Sequence, residues 1–257
     1  MGGPVQSEEG VLGGIWGGDS KNFYESKTYL QSFCKQVFNF EKIESYYVMT
    51  ELMVKNVQKK SSTLLTLNDI KLNGGKGIIT SNKHKTGTDR IFEAYEKLNI
   101  RNIDYILNLQ GDEPVIDSKD IINLNNLIIN ENLEMGTLAC KILDNKNYTD
   151  ENIVKVKTEN ELIKNKISKA KDFFRKLESN DKANIYHHIG IYLYKVSTLE
   201  KITYLNQTIN EKSLRLEQLR ALENNIDISL VLSESYPIGI DTQEDYIKVK
   251  KLLETKN

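Results

Sequence analysis

The chain has 257 residues, of which 39% are hydrophobic and 28% are charged, and its net charge is -1. This length is sufficient for one α/β domain with its own core. The balanced charge argues against a nucleic-acid-binding protein, and no apolar run is long enough to cross a bilayer. The two cysteines, Cys34 and Cys140, stand in unrelated contexts, which fits the reducing environment of the cytoplasm.

Residues 1–26 differ in pattern from the rest of the chain. Met1-Gly2-Gly3-Pro4 and the paired glycines at 13–14 and 17–18 follow no clear period. Glycine-rich sequence of this kind is typical of flexible segments. We therefore predict that residues 1–26 are flexible or foreign to the fold, and that residues 27–257 form the domain.

From residue 27 onwards, helical and strand periods alternate. Strands are predicted at 46–50, 77–80, 105–109, 135–143, 188–194 and 228–232. Helices are predicted at about 30–38, 86–98, 118–127, 213–223 and 242–253. Residues 145–187 are largely polar and suit a flap with short strands. The alternation predicts an open α/β sheet that binds its ligands at the carboxyl ends of the strands.

Two aspartates lie where predicted strands end. Asp112 follows the apolar strand that ends at Leu109, and Asp241 follows Gly239 after a short extended run. Mg²⁺ prefers oxygen ligands and commonly takes one or two carboxylates together with substrate phosphates. Ordinary turn aspartates would give the same local pattern, so the residues alone leave both interpretations open.

The segment Thr86-Gly87-Thr88-Asp89-Arg90 spans the predicted start of a helix. Thr86 and the acid three residues later have the spacing of a capping box. Unpaired backbone N–H groups at a helix start favour an anion, and Arg90 adds a permanently charged fork. A capped helix with a surface ion pair is the alternative interpretation.

Polar groups also mark two later segments. Alternation along the predicted strand places His188 and Tyr192 on one face, which indicates a surface facing either a substrate or solvent. Glu217 and Gln218 lie between two core leucines of a predicted helix. They could bind sugar hydroxyls, although a solvated helix face would look the same.

Taken together, these segments resemble the CMP-Kdo synthetases, the 3-deoxy-manno-octulosonate cytidylyltransferases. The matching strings occur in the order found in the family: Thr80-Ser81, His84 to Arg90, Leu109 to Pro114, His188 to Tyr192, Leu216 to Arg220 and Gly239 to Thr242. The similarity weakens towards Lys27. Ahead of it, the arginine and the Pro-Gly-Lys loop that wrap the triphosphate in the family have no counterpart in this sequence.

The resemblance implies a Rossmann-like nucleotidyltransferase fold with a small dimerisation flap, acting as a homodimer. It implies transfer of CMP from CTP to Kdo with Mg²⁺, in lipopolysaccharide synthesis. Asp112 and Asp241 are the implied metal ligands and, with Arg90, the catalytic residues. The implied substrate contacts are Thr86, Gly87, Thr88, Gln110, Arg175, His188, Tyr192, Glu217 and Gln218, and the match at Arg175 is loose.

Two other functions fit the same residues. The chain could use another sugar acid, such as sialic acid or an amino analogue of Kdo. It could also be a non-catalytic member of the family that keeps the sugar site without the phosphate loop. Because the cationic loop lacks a counterpart in residues 1–26, we expect turnover to be slow.

Overall fold

The computed structural model describes residues 12–14, 46–51, 76–99, 103–110, 113, 115–239 and 243–255. The chain forms two compact units, the first made of residues 1–116 and 237–257 and the second of residues 117–236. Asp112, Asp241 and Thr242 lie outside the described residues, so the predicted metal ligands stay predictions. Within the described ranges, no helix has the length and apolar character needed to span a membrane.

The first unit contains a parallel sheet. Its strands are β1 (Leu12–Gly14), β2 (Tyr46–Glu51), β3 (Lys76–Gly77) and β4 (Tyr105–Gln110). They are ordered β3-β1-β2-β4, and β1 lies within the segment predicted to be foreign to the fold. The helices among the described residues of this unit are α1 (Gly87–Leu98) and a C-terminal helix, Gln243–Thr255, numbered α6 below. Residues 105–109 are all buried, as expected for a strand covered on both faces.

The second unit contains five strands and four α-helices. The strands are β5 (Met135–Cys140), β6 (Lys155–Thr158), β7 (Ile167–Phe174), β8 (Ile185–Lys195) and β9 (Ser229–Leu232). The helices are α2 (Ser118–Asn130), α3 (Val196–Tyr204), α4 (Ile209–Leu214) and α5 (Gln218–Glu223), and Asn145–Tyr148 form a 3-10 turn.

Each strand of the second unit pairs with two others of that unit. β5 pairs with β8 and β9, β9 with β7, β7 with β6, and β6 with β8, so the pairings close on themselves. The apolar face of α2, with Ile121, Leu124 and Ile128 fully buried, packs on β5. A Cβ at Gly136 would clash with Ile128, so this glycine allows the helix to approach the strand closely.

The α/β class is confirmed, but several elements differ from their prediction: β3 is Lys76–Gly77 rather than 77–80, β5 ends at Cys140 rather than 143, and α3 was not predicted. The helix predicted at 213–223 is two helices, because Arg215 has a left-handed backbone (φ 55°) that ends α4. A capping box of Thr208 and Glu211 also starts α4 earlier than predicted. Apolar periodicity continues across the break, which explains why the pattern predicted one helix.

Strand β8 does not alternate strictly as predicted. Thr137 of β5 pairs with Tyr192, whereas the next residue, Leu138, pairs with Ile189. Gly190 and Ile191 therefore have no counterpart on β5 and form a bulge. Because His188 and Tyr192 oppose Ala139 and Thr137, which share a face, the bulge keeps His188 and Tyr192 on the same side.

Candidate active site

The loop before α1 is bound to that helix by Arg90. Its Nη1 donates to the Thr80 hydroxyl at 2.9 Å and to the Ser81 carbonyl at 3.0 Å, and the side chain is buried. Thr86 caps the helix by accepting a hydrogen bond from the Asp89 amide at 3.3 Å. The predicted anion site is therefore a capped helix start, with an arginine that also orders the preceding loop.

Glu93 is a second anchor for the same loop. Its carboxylate accepts from the Ser81 amide at 2.8 Å, from Lys97 at 2.6 Å and from His84 Nε2. Burial raises the pKa of Glu93, but hydrogen bonds from Lys97, Ser81 and His84 outweigh it and lower that pKa to about 2. The carboxylate is therefore ionised at neutral pH, and the loop with the matching string is fixed from two sides.

Gln110 is the last residue of β4, as predicted for a ligand at the carboxyl end of a parallel strand. Its carbonyl accepts from the Glu113 amide at 3.4 Å, which turns the chain after the strand. In sequence, Asp112 comes two residues after β4 and Asp241 comes two residues before the start of α6, and both lie outside the described residues. Their mutual distance stays a prediction.

The structure brings together His188 and Tyr192. Their ring centroids are 5.5 Å apart, and the ring of Phe173 lies nearly perpendicular to that of His188, with centroids 5.1 Å apart. His188 Nε2 lies 3.0 Å from the hydroxyl of Thr137, a buried residue that the sequence did not single out. In the sequence, the only signal for Thr137 was a hydroxyl within an otherwise largely apolar predicted strand.

Burial sets the ionisation of this cluster. Burial, with a smaller effect of His187, lowers the pKa of His188 to about 3, so its imidazole is neutral at pH 7. Burial, with the nearby charges of Tyr194 and Glu217, raises the pKa of Tyr192 well above 10. The cluster therefore offers a neutral imidazole and a protonated phenol beside the Glu217 carboxylate.

Three polar groups of this region have no hydrogen-bond partner among the described residues. They are His188 Nδ1, the Tyr192 hydroxyl and the Gln218 amide, on side chains that are at most 7% exposed. None of the three is among the fully enclosed polar atoms without a partner in the described residues, so each stays open to water or to a bound ligand. These groups suit the binding of a polar molecule that both donates and accepts hydrogen bonds.

Arg175 has a different environment from these three residues. Its guanidinium donates to the Leu214 carbonyl at 2.7 Å, the Glu151 carbonyl at 2.9 Å and the Arg215 carbonyl at 3.4 Å. It thereby binds the end of β7 to the turn between α4 and α5. This turn directly precedes Glu217 and Gln218.

A buried ion pair supports the same turn. Arg220 Nη2 lies 2.6 Å from Glu211 Oε1, Nε also contacts this carboxylate, and both side chains are 2% exposed. Glu211 also belongs to the capping box of α4. The matched string Leu216 to Arg220 therefore combines two candidate ligand contacts with one structural arginine.

Asp120 is an anchor that the sequence analysis missed. Its carboxylate accepts from the hydroxyls of Ser233, at 2.6 Å, and Ser235, and from the amides of Glu234 and Ser235 at 3.1 and 3.3 Å. It binds the first turn of α2 to the segment that follows β9. Its sequence context, an acid in the first turn of a helix, is too common to indicate this role.

Comparison with known proteins gives a consistent result. The sequence model of the family described as cytidylyltransferase matches residues 60–228. The 3-deoxy-manno-octulosonate cytidylyltransferase of Thermodesulfovibrio yellowstonii is 37% identical over 242 residues, covering 91% of each chain. The enzyme of the same name from Bartonella henselae is 39% identical over 181 residues, covering 70% of this chain and 74% of the relative.

Solved structures show the same fold. The structure of CMP:2-keto-3-deoxy-manno-octonic acid synthetase complexed with CTP superposes with a TM-score of 0.77 at 24% identity, covering 96% of this chain and 98% of that chain. The 4-diphosphocytidyl-2C-methyl-D-erythritol synthase of Anaerococcus prevotii gives a TM-score of 0.58 at 15% identity, covering 96% and 97%. The predicted Rossmann-like nucleotidyltransferase fold is thus confirmed.

Proposed function

We propose that this chain, which belongs to the family of 3-deoxy-manno-octulosonate cytidylyltransferases, transfers CMP from CTP to the anomeric hydroxyl of Kdo. The products are CMP-Kdo, for lipopolysaccharide synthesis, and pyrophosphate. The observation that carries the proposal is the 37% identity to such an enzyme over 91% of both chains. We further propose that it acts in the cytoplasm as a homodimer, with the flap at the dimer contact.

The polar groups of the second unit support a sugar-acid substrate. A neutral imidazole, a protonated phenol and an amide, without partners among the described residues, can together accept from and donate to several hydroxyls. They are carried by His188, Tyr192 and Gln218, with the Glu217 carboxylate next in sequence. A site of this kind discriminates strongly against analogues that lack a hydroxyl, since its own buried groups would then stay unpaired.

The reaction joins two bound substrates. The anomeric oxygen of Kdo forms a bond to the α-phosphorus of CTP as the bond to the pyrophosphate oxygen breaks, and the hydroxyl proton passes to solvent. Holding the two reactants in line supplies much of the rate. We propose that Arg90 and the turn Thr86–Thr88 face CTP or the sugar carboxylate, and that Gln110 and the polar groups of the second unit face Kdo.

Asp112 and Asp241 are the proposed Mg²⁺ ligands. Carboxylate oxygens are hard donors that fit this ion, and Mg²⁺ is commonly held by one or two carboxylates with substrate phosphates. Across the described ranges no group of three or more candidate ligands occurs. When bound, the ion would neutralise negative charge on the triphosphate.

Formation of CMP-Kdo and pyrophosphate from CTP, Kdo and Mg²⁺ tests the proposal, with sialic acid and an amino analogue of Kdo in parallel. We expect product with Kdo only, at a rate well below the enzyme median of about 10 s⁻¹. Product with another acid alone would overturn the choice of substrate. CTP binding by calorimetry without turnover would instead favour the non-catalytic member of the family.

Replacing His188 with alanine tests the sugar site separately. We expect the KM for Kdo to rise by about tenfold, which corresponds to one lost hydrogen bond, with little change in the KM for CTP. His187→Gln is the matched control, because His187 packs against Tyr236 and Cys140 rather than in the cluster. Equal losses for both substrates in His188→Ala would contradict a role at the sugar.

A further inference from the structure

The environment of Thr137 fixes where the proton of His188 lies. The Thr137 hydroxyl oxygen is 2.7 Å from the Ile191 carbonyl, 3.1 Å from the Ile189 carbonyl and 3.0 Å from His188 Nε2. A hydroxyl carries one proton, and a carbonyl oxygen can only accept. The proton is therefore directed to the bulge, where the Ile191 carbonyl is nearest.

This use of the hydroxyl proton determines the imidazole tautomer. Because the Thr137 hydroxyl donates its hydrogen bond to a carbonyl, its oxygen presents a lone pair to His188 Nε2. That nitrogen must therefore carry a hydrogen and donate. The doubly protonated ring is disfavoured, since burial lowers the pKa of His188 to about 3. The remaining possibility is a neutral ring with hydrogen on Nε2 and a lone pair on Nδ1.

The bulge in β8 is what makes this arrangement possible. Gly190 and Ile191 have no counterpart on β5, and the Ile191 carbonyl they bring to Thr137 attracts the hydroxyl proton. Phe173 packs in a T-shaped arrangement with the imidazole and helps to hold the ring in place. Nδ1 makes no hydrogen bond to any described residue, and it is not one of the fully enclosed polar atoms that lack a partner.

We propose that Thr137 is a positioning residue that holds His188 in the Nε2–H tautomer and so presents Nδ1 as a hydrogen-bond acceptor to a hydroxyl of the sugar acid. The choice of the sugar as donor rests on the proposed function. The tautomer itself rests only on the contacts of Thr137. An acceptor at Nδ1 favours a ligand group that can donate, which a hydroxyl does and an ether or carboxylate oxygen does not.

Nitrogen-15 NMR of the histidine-labelled protein tests the tautomer at neutral pH without substrates. We expect the His188 signals, assigned by their absence in His188→Gln, to show a protonated Nε2 and an unprotonated Nδ1. Thr137→Val removes the hydroxyl and should give mixed tautomers, whereas Thr137→Ser should restore the original signals. A protonated Nδ1 in the unaltered chain would overturn the proposal.

Steady-state kinetics test the consequence for the sugar. Thr137→Val should raise the KM for Kdo by about tenfold, with the KM for CTP near its original value and partial recovery in Thr137→Ser. The control is Thr158→Val, because Thr158 is equally buried and donates to the Asn160 carbonyl at 2.7 Å but contacts no histidine. An equal rise in the KM for Kdo in the control would overturn a specific role for Thr137.

The two measurements separate this inference from the proposed function. The predicted tautomer in a chain that forms CMP-Kdo, together with the KM change, supports both. An Nδ1–H tautomer in a chain that forms CMP-Kdo overturns the inference alone. The predicted tautomer in a chain that accepts no sugar acid supports the role of Thr137 towards His188 and overturns the sugar as its ligand.

Discussion

In the second unit, the side chains of two arginines and those of His188 and Gln218 differ in where their hydrogen bonds go. Arg175 donates to three backbone carbonyls, and Arg220 pairs with Glu211 in the interior. His188 Nδ1 and the Gln218 amide, in contrast, have no partner among the described residues. The comparison shows that a charge in a matched motif is not by itself a sign of substrate contact.

Lys155 belongs with the charged group. It is fully buried in β6, and its ammonium donates to the Ile153 carbonyl at 2.7 Å and to the carbonyls of Asp150 and Arg175. The interior cations of this unit thus hold turns in place. His188 Nδ1 and the Gln218 amide, in contrast, are open to a ligand, and the first two predictions below test the structural role of the charged side chains.

The largest expected effect is on stability, from the buried pair. Glu211→Gln should lower the free energy of unfolding by about 3–5 kcal/mol, because the charge of Arg220 would lose its buried counter-charge. Urea denaturation measures the change. The matched control is Lys164→Met, which breaks an exposed pair with Glu234 and should leave stability close to its original value. A similar loss in both variants would contradict the assignment.

Arg175 tests the comparison directly, since the family resemblance implies a substrate contact. Arg175→Met should lower the free energy of unfolding by about 1–3 kcal/mol, because backbone carbonyls lose their donors, and Arg175→Lys should recover part of it. Thermal and urea denaturation would be compared with the KM for Kdo. Unchanged stability with a large rise in that KM would show that the guanidinium contacts the substrate instead.

Acidic pH should destabilise the fold through the two adjacent histidines. Burial, aided by Lys155, lowers the pKa of His187 to about 4, and that of His188 is about 3. Below about pH 6.5 the two histidines bind protons in the unfolded chain but stay neutral in the folded chain. The free energy of unfolding therefore falls as the pH decreases from 6.5. From pH 6.5 to 5.5 the loss should be about 1 kcal/mol for each histidine.

The histidine contribution can be isolated by comparing urea denaturation of His187→Gln with that of the unaltered chain at both pH values. The variant should lose about half of the two-histidine effect. A pH dependence that is the same in both proteins would contradict the neutral, buried state of His187.

The smallest expected effect concerns Thr86, a predicted substrate contact whose hydroxyl also caps α1. Thr86→Ala should cost about 1 kcal/mol of unfolding free energy, while Thr86→Ser should cost little, because serine keeps the cap. Comparing these values with the KM for CTP shows whether the hydroxyl serves the helix alone. A rise in that KM in the alanine variant, beyond that of a second destabilised variant, would indicate contact with the nucleotide.

Much of the fold followed from the sequence, because periodicity reports burial. The strand at 105–109 and the helix start at Thr86 are predicted by local pattern, and the structure has both. The break at Arg215 was missed, because a left-handed residue leaves the apolar pattern of its neighbours unchanged. The bulge in β8 was missed, since it depends on the pairing with β5.

Prediction of the site has the same limit: local pattern identifies motifs but not contacts between distant segments. Tyr192 and Gln218 are predicted site residues because the strings around them resemble a family. Thr137 and Asp120 act through partners 51 to 115 residues away, and no local pattern encodes such contacts. The roles of Asp112 and Asp241 stay predictions.

The closed pairing of the five strands in the second unit affects how this part of the protein opens. Since every one of these strands is hydrogen-bonded to two others, detaching any of them requires two ladders to separate. In a sheet with an edge strand, which is paired on one side only, the edge strand detaches first and its amide protons exchange fastest. Here the paired amides of β6 and β7 should exchange with deuterium as slowly as those of β5, in one cooperative event.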